Sequence, residues 1–418
     1  MTGYTSPGTL PPEREPTPDW GQSLSGGAGL ALLHIAYAHA GIGDWPTAHK
    51  WVKAMTAHPV AAHAEASLYQ GAPAVAYVLR TAGQPAYTPV LARLDQHVAE
   101  ITRTRLVRGH ERIDRGALPE LREFDLINGL TGLGVCLLQA VHADPNHPGG
   151  EPLRDVLTYL VRLTGQITVN GVALPGWWTA NGPSGRSDPR WPGGHANLGM
   201  AHGIAGPLAL LSAAMIGGIT VPGHADAIEL TDWFLNFWRC GPETGPWWPG
   251  MISAREWANA ATDQPGPQRP SWCYGTPGLA RALHLAAQAL DAPTRVAEAK
   301  VVLLACITDD AQLDQLGDDS LCHGWAGLVH TARRMLADAE PGSEAEALAR
   351  LEHRWRHRRT RATRKLSESS GMLEGGAGVA LTDLPPGTGW DACLLTTPPT
   401  GVPISSPGSV PTHTEGTG

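Results

Sequence analysis

Phenylalanine is nearly missing from this 418-residue chain: 3 Phe and 7 Tyr stand against 15 Trp. Charge is thin as well, at 17% of residues, and 31 Lys and Arg face 39 Asp and Glu for a formal net charge of −8. With no domain-wide basic excess to neutralise phosphates, nucleic acid is excluded as the main partner. Long apolar runs are lacking too. The densest, residues 301–307, falls far short of the roughly 18 residues that span a bilayer. The N-terminus has neither the basic start nor the apolar stretch of a secretory signal. The expectation is a cytoplasmic protein that is not integral to the membrane and associates with one only through a complex. No Cys-x-x-Cys pair exists among Cys136, Cys240, Cys273, Cys306, Cys322 and Cys393, which excludes zinc-finger spacing. In a reducing compartment these six read as core thiols or ligands rather than a disulfide framework. Cys136 and Cys306 sit in apolar helical runs and read as core, whereas Cys240 and Cys393 read as incidental.

Glycine and proline are abundant, at 50 and 36 residues, and glycine recurs in a pattern. Gly-x-x-Gly followed by an apolar run begins at Gly26, Gly129, Gly203, Gly275, Gly324 and Gly375, with a degenerate copy at Gly71. The copies are roughly 58 residues apart on average, the period of a repeat architecture. After Gly278 the apolar residues Leu279, Leu283, Ala286, Ala287 and Leu290 mark one face of a helix. More amphipathic stretches, such as 296–306 and 344–361, lie between these helices, and only 166–171 reads as a strand or hairpin. The unit is therefore a helical hairpin; seven in series could form an open solenoid or a closed ring, and the paired glycines suit an all-α double ring. The apolar helices form its inner ring, and all their N-termini lie at one rim. Paired glycines there let backbones approach closely and allow unusual φ.

Residues 1–20 and 384–418 are rich in Pro, Gly, Ser and Thr and read as poorly ordered tails around a catalytic ring of residues 21–383. Two long loops, 175–194 and 241–272, precede glycine pairs and should overhang the rim. Their tryptophans, with Trp272 and Trp325, suit a sliding peptide as well as packing. The basic stripe from His353 to Lys365 reads as a solvated outer face or a site for an acidic leader peptide.

Chemistry-bearing residues share one register. Immediately before the first glycine stand Cys273-Tyr274, Cys322-His323 and, earlier, Ala201-His202. A ring brings these positions together whatever their separation in sequence. Two cysteines and a histidine make a Cys2His set, a donor combination that selects zinc and leaves a fourth position open.

The segments Ser271-Trp272-Cys273-Tyr274-Gly275, Leu321-Cys322-His323-Gly324 and Ala201-His202-Gly203 resemble those of the lanthionine synthetase C-like family, and of its stand-alone bacterial lanthipeptide cyclases. The resemblance runs from about Gly26 to Leu381. It implies an α/α toroid of seven inner and seven outer helices with one zinc held by Cys273, Cys322 and His323. It also implies catalytic roles for His202, Asp125, Arg269 and Tyr274. The substrate would be a dehydrated precursor peptide, leader plus core, whose Cys thiols add to dehydroalanine or dehydrobutyrine. A dehydratase and an export transporter are the further partners it suggests. Competing readings are thiol activation for glutathione addition or prenyl transfer, a glycosidase with paired carboxylates, and a non-catalytic scaffold.

Overall fold

The apolar stretches after the glycines fold into helices buried on nearly every side, and the stretches between them into helices with one wet face. The computed structural model describes residues 4–12, 17–337, 339–360, 369–385 and 387–398. Its longer helices alternate along the chain. α1 (Gly27–His39) is followed by α2 (Trp45–Met55), α3 (Ala72–Ala82) by α4 (Thr88–Asp114), and α5 (Leu130–Ala143) by α6 (Gly150–Leu163). Then come α7 (Ala205–Ile216) and α8 (His224–Phe237), α9 (Thr276–Ala289) and α10 (Pro293–Thr308), α11 (Trp325–Met335) and α12 (Ser343–Thr360), and finally α13 (Gly376–Thr382). Each odd-numbered helix packs on the odd-numbered helices either side of it, and α13 returns to α1, so the inner ring closes. The even-numbered helices pack outside their partners. α6 shows why: Leu153, Val156, Leu157, Leu160 and Leu163 are buried at helical spacing while the opposite face stays polar.

The closure can be followed through main-chain hydrogen bonds at the rim. The N–H of Leu24 donates to Tyr69 O (3.1 Å), Leu126 to Ala201 O (3.1 Å), Met200 to Cys273 O (2.9 Å) and Cys273 to Cys322 O (3.2 Å). Cys322 N–H donates to Leu373 O (2.8 Å) and Met372 N–H to Leu24 O (2.9 Å), while the remaining junction, between the second and third segments, is bridged by the Arg105 side chain, which donates to Ala64 O and Asn128 O. Each segment tucks a carbonyl over the second glycine of its own pair. A Cβ on Gly278 would lie 2.0 Å from Trp272 O, which no side chain can accept. Close approach is thus the reason for the repeated glycine. Unusual φ explains only Gly71, which caps α3 at φ +77.

Among the described residues six outer helices flank seven inner ones. Where a seventh outer helix would cover α13, the N-terminal segment lies instead. Tyr37 Oη donates to Thr5 O (2.6 Å), Trp51 Nε1 donates to Thr9 O (2.8 Å), and Thr5 Cγ2 sits over Gly376. The expectation of a disordered N-terminal tail is corrected for residues 4–12, which these side-chain donors pin down.

The expected loose C-terminal tail is corrected more strongly. Residues 387–398 enter the ring, and Trp390 through Thr396 are each 2% exposed or less. Their backbone polar groups are met by side chains of the inner ring, because buried peptide groups need partners. Tyr69 Oη donates to Cys393 O (2.8 Å), Trp272 Nε1 to Leu394 O (3.0 Å), Arg281 Nε to Thr396 O (2.8 Å) and Tyr77 Oη to Trp390 O (2.8 Å). Asp391, fully buried, takes Arg334 Nε at 2.7 Å and faces His330 Nε2 at 3.0 Å. Cys393, read as incidental, lies fully buried in this plug.

The two long loops are tied together rather than free. Strand β3 (His195–Asn197) pairs antiparallel with β4 (Met251–Ser253), while β1 (Gln166–Val169) and β2 (Val172–Pro175) form a hairpin turning at Asn170 and Gly171, both with positive φ. Trp177, Trp178, Trp247, Trp248, Trp272 and Trp325 are buried, with Trp177 edge-on to Phe234 and Trp178 against Trp257. Trp177, through Phe234, and Trp248, through Leu235 O (2.8 Å), fasten the loops to α8, and the buried tryptophans form no open platform; Trp191 alone of this set is half-exposed.

Candidate metal and proton-transfer site

The rim hydrogen bonds set the height of every residue just before a glycine, and three of the sequence-predicted residues converge there. One donor atom each from Cys273, Cys322 and His323 lies within 4.8 Å of the others, and no other such grouping occurs among the described residues. Cys273 comes from the segment before α9, Cys322 and His323 from the segment before α11, and the Cys273 N–H···O=C Cys322 bond locks the two together. Cys273 is buried, while Cys322 and His323 are half-buried.

The electrostatics of the trio favour anionic sulfur. The Cys273 thiol is held well below the ordinary range, first because Cys322 donates to it, with His323 and Ser271 adding and burial opposing. The Cys322 thiol is pushed up, by that same hydrogen bond, burial and the Cys273 charge, so the pair shares one proton between two sulfurs. The His323 imidazole is raised, first by its bond to Cys273. Its Nε2 stands 3.4 Å from Asp318 Oδ2, whose other oxygen accepts the Ser320 N–H at 2.8 Å. Two soft thiolates and one imidazole, with a carboxylate behind the imidazole, fit zinc.

Next to the trio lies a second unit. His202 Nδ1 is 2.6 Å from Asp125 Oδ2, and Asp125 is 1% exposed. Asp125 also caps its own turn, its Oδ1 accepting the Asn128 N–H at 2.6 Å. Burial lowers the His202 pKa, but the Asp125 hydrogen bond and charge outweigh it, so the imidazole ends above its ordinary value. The Tyr274 ring lies alongside, with centroids 6.4 Å apart. Burial is the main reason its phenol is raised well above the usual range. Arg269 is exposed and makes no hydrogen bond among those of the described residues, yet its charge bears on Asp318, Cys322 and His323.

Sequence reasoning missed the supports. Asn197 and Asp318 hold Tyr274 and His323, and Arg105 fixes the Asp125 loop by donating to Ala64 O (2.7 Å) and to Asn128 O. Asp318-x-Ser320 carries the Asx-turn signal that could have drawn attention to it; Arg105, one of many charges on α4, carries none. The basic stripe on α12 is largely paired, Arg354 with Asp310 (2.7 Å), Arg358 with Asp319 and Arg359 with Asp383. Its residues 361–365 lie outside the described residues.

Comparison with known proteins agrees with this geometry. The chain is 25% identical over 212 residues to the nisin biosynthesis protein NisC of Lactococcus lactis subsp. lactis, 50% of this chain and 48% of that protein. The alignment thus spans about half the length of this curated relative. A solved nisin cyclase structure superposes with a TM-score of 0.73 at 20% identity, covering 90% of this chain and 93% of that one, which shows the fold. The family model described as lanthionine synthetase C-like protein matches residues 18–385. With that match over nearly the whole ring, the chain belongs to the lanthionine synthetase C-like family.

Proposed function

We propose that the protein is a zinc-dependent lanthipeptide cyclase, which adds peptide Cys thiols to dehydroalanine or dehydrobutyrine to form (methyl)lanthionine rings. The observation that carries this reading is the convergence of Cys273, Cys322 and His323 beside the His202–Asp125 pair in a member of this family. Cys273, Cys322 and His323 would hold the zinc. A bound zinc ion supplies a depressed thiol pKa, which matters because the nucleophile is the thiolate and a free thiol near pKa 8.5 is mostly protonated at neutral pH.

The chain's own residues account for the rest. When the thiolate sulfur bonds to the β-carbon, the alkene π electrons shift toward the carbonyl and an enolate develops. Tyr274, its phenol kept protonated by burial, donates to that oxygen. The Arg269 charge adds to the positive potential at the rim, as do the inner-helix N-termini that open there. His202, whose protonated form the Asp125 hydrogen bond and charge favour, transfers a proton to the α-carbon and completes the thioether. Asp125 orients that imidazole through the 2.6 Å contact with its Nδ1.

The substrate in this reading is a dehydrated precursor peptide, leader plus core, presented in the cytoplasm together with a dehydratase and an export transporter. The direct test is mass spectrometry after thiol alkylation of such a peptide. Cyclisation leaves the mass unchanged, so the expected result is loss of alkylatable thiols on adding the protein. Unchanged alkylation with dehydrated peptide, beside consumption of glutathione or a prenyl diphosphate, would move the assignment to another thiol acceptor.

A further inference from the structure

One buried amide beside the site belongs to neither functional unit. Asn197, fully buried at the end of β3, lies between the two long loops, where Leu198 N–H donates to Gly250 O (3.0 Å). Its Oδ1 accepts the Gly199 N–H at 3.0 Å, and its Nδ2 lies 3.1 Å from Tyr274 Oη. The amide cannot turn over: a main-chain N–H donates only to an oxygen, so the NH2 end must be the one that meets the phenol. The side chain packs directly over Gly203, where a Cβ would come to 2.5 Å from Asn197 Oδ1.

We propose that Asn197 is a positioning residue that sets the hydrogen-bond polarity of Tyr274, so that the phenol O–H is kept free to donate a hydrogen bond to a substrate. An amide NH2 only donates, so at this contact the phenol oxygen accepts and its single O–H is left for another partner. Asn197 is the only hydrogen-bond partner of the phenol among the described residues. The ring is half-exposed, and His202 stacks beside it. Tyr274 thereby presents a donor of fixed direction where a carbonyl oxygen would gain charge, with no reorientation left to the moment of reaction. The inference rests on the cyclase reading for its kinetic consequence, but the polarity itself is a property of the free protein.

Three variants and one spectrum test it. Asn197→Asp replaces the donor by a carboxylate that would take the phenol O–H for itself. Asn197→Ala only frees the phenol, and Tyr274→Phe removes it. The expected order is a fall in kcat of about 10²–10³-fold for Tyr274→Phe and Asn197→Asp alike, and about tenfold for Asn197→Ala, with KM and metal content near wild type. In the Tyr274→Phe background Asn197→Asp should add almost nothing. Equal loss for Asn197→Ala and Asn197→Asp, or the full loss of Asn197→Asp again in the Tyr274→Phe background, would overturn the proposal in favour of a purely structural role. If Asn197→Asp does not fold, the Raman difference between wild type and Tyr274→Phe decides, because the tyrosine ring doublet reports whether the oxygen accepts or only donates. An accepting phenol supports the inference and a donor-only phenol rejects it, even if wild type alkylates no differently from a blank and the cyclase reading itself fails.

Discussion

Two polar clusters lie inside the ring, and the repeat places both. The interior one uses the sixth residue after the first glycine: Tyr77, Arg281 and His330 stand at equivalent heights on α3, α9 and α11 and grip the C-terminal plug. The rim cluster uses the two residues before that glycine and gathers Cys273, Cys322, His323 and His202. At the interior, Asp391 is fully buried and bound by Arg334, His330 and Thr397. At the rim, His202, Tyr274, Cys322 and His323 are half-exposed. The contrast is between a polar cluster sealed into the core and one left partly open at the rim.

The comparison breaks most visibly at the metal ligands. Cys322→Ala or Cys273→Ala should abolish metal binding and cyclisation together, measured by elemental analysis and alkylation, while the helix content by circular dichroism holds. The interior cluster should behave in the opposite way. Asp391→Ala strands Arg334 and His330 in the core and should cost about 3–5 kcal/mol in urea unfolding, with kcat of the folded fraction little changed. Its pH sign follows from the depressed Asp391 pKa, caused by His330 and Arg334 against the cost of burial. The contribution is complete above the unfolded carboxylate value near 3.9 and is lost as pH falls toward the folded one. Asp391→Asn should therefore flatten the acid limb of stability against pH.

Within the rim, His202→Ala should lower kcat by about 10²–10⁴-fold, the range of a lost general acid. Asp125→Asn removes what raises His202, so the imidazolium is lost at lower pH. The alkaline limb of kcat/KM should move down in pH, and an unmoved limb would reject His202 as the acid. The smallest effect belongs where the clusters touch. Trp272→Phe deletes one donor to Leu394 O beside Cys273 and should cost about 1 kcal/mol, read by thermal unfolding, with metal content unchanged.

The double ring and its Cys/His trio were legible because register survives in sequence. Cys273 and Cys322 each stand two residues before a glycine that can bear no Cβ, so equivalence in the chain becomes proximity in space. The plug was not legible. Residues 387–398 have the composition of a tail, and their partners Tyr69, Arg281 and His330 lie far off in sequence. Arg281 and His330 inside apolar helices were the only trace of it. The tryptophan loops misled for a related reason: strands of three residues, β3 and β4, show no alternation, so nothing in the chain reveals that the loops are sewn down.

The claim on which the proposed function depends is that three side chains from two repeats hold one metal ion. Native mass spectrometry of the full-length protein against Cys322→Ala measures it without any substrate. The account predicts one zinc per chain in the first and none in the second. A zinc-free wild-type protein after zinc supplementation, or a Cys322→Ala protein that keeps its full complement, would contradict it.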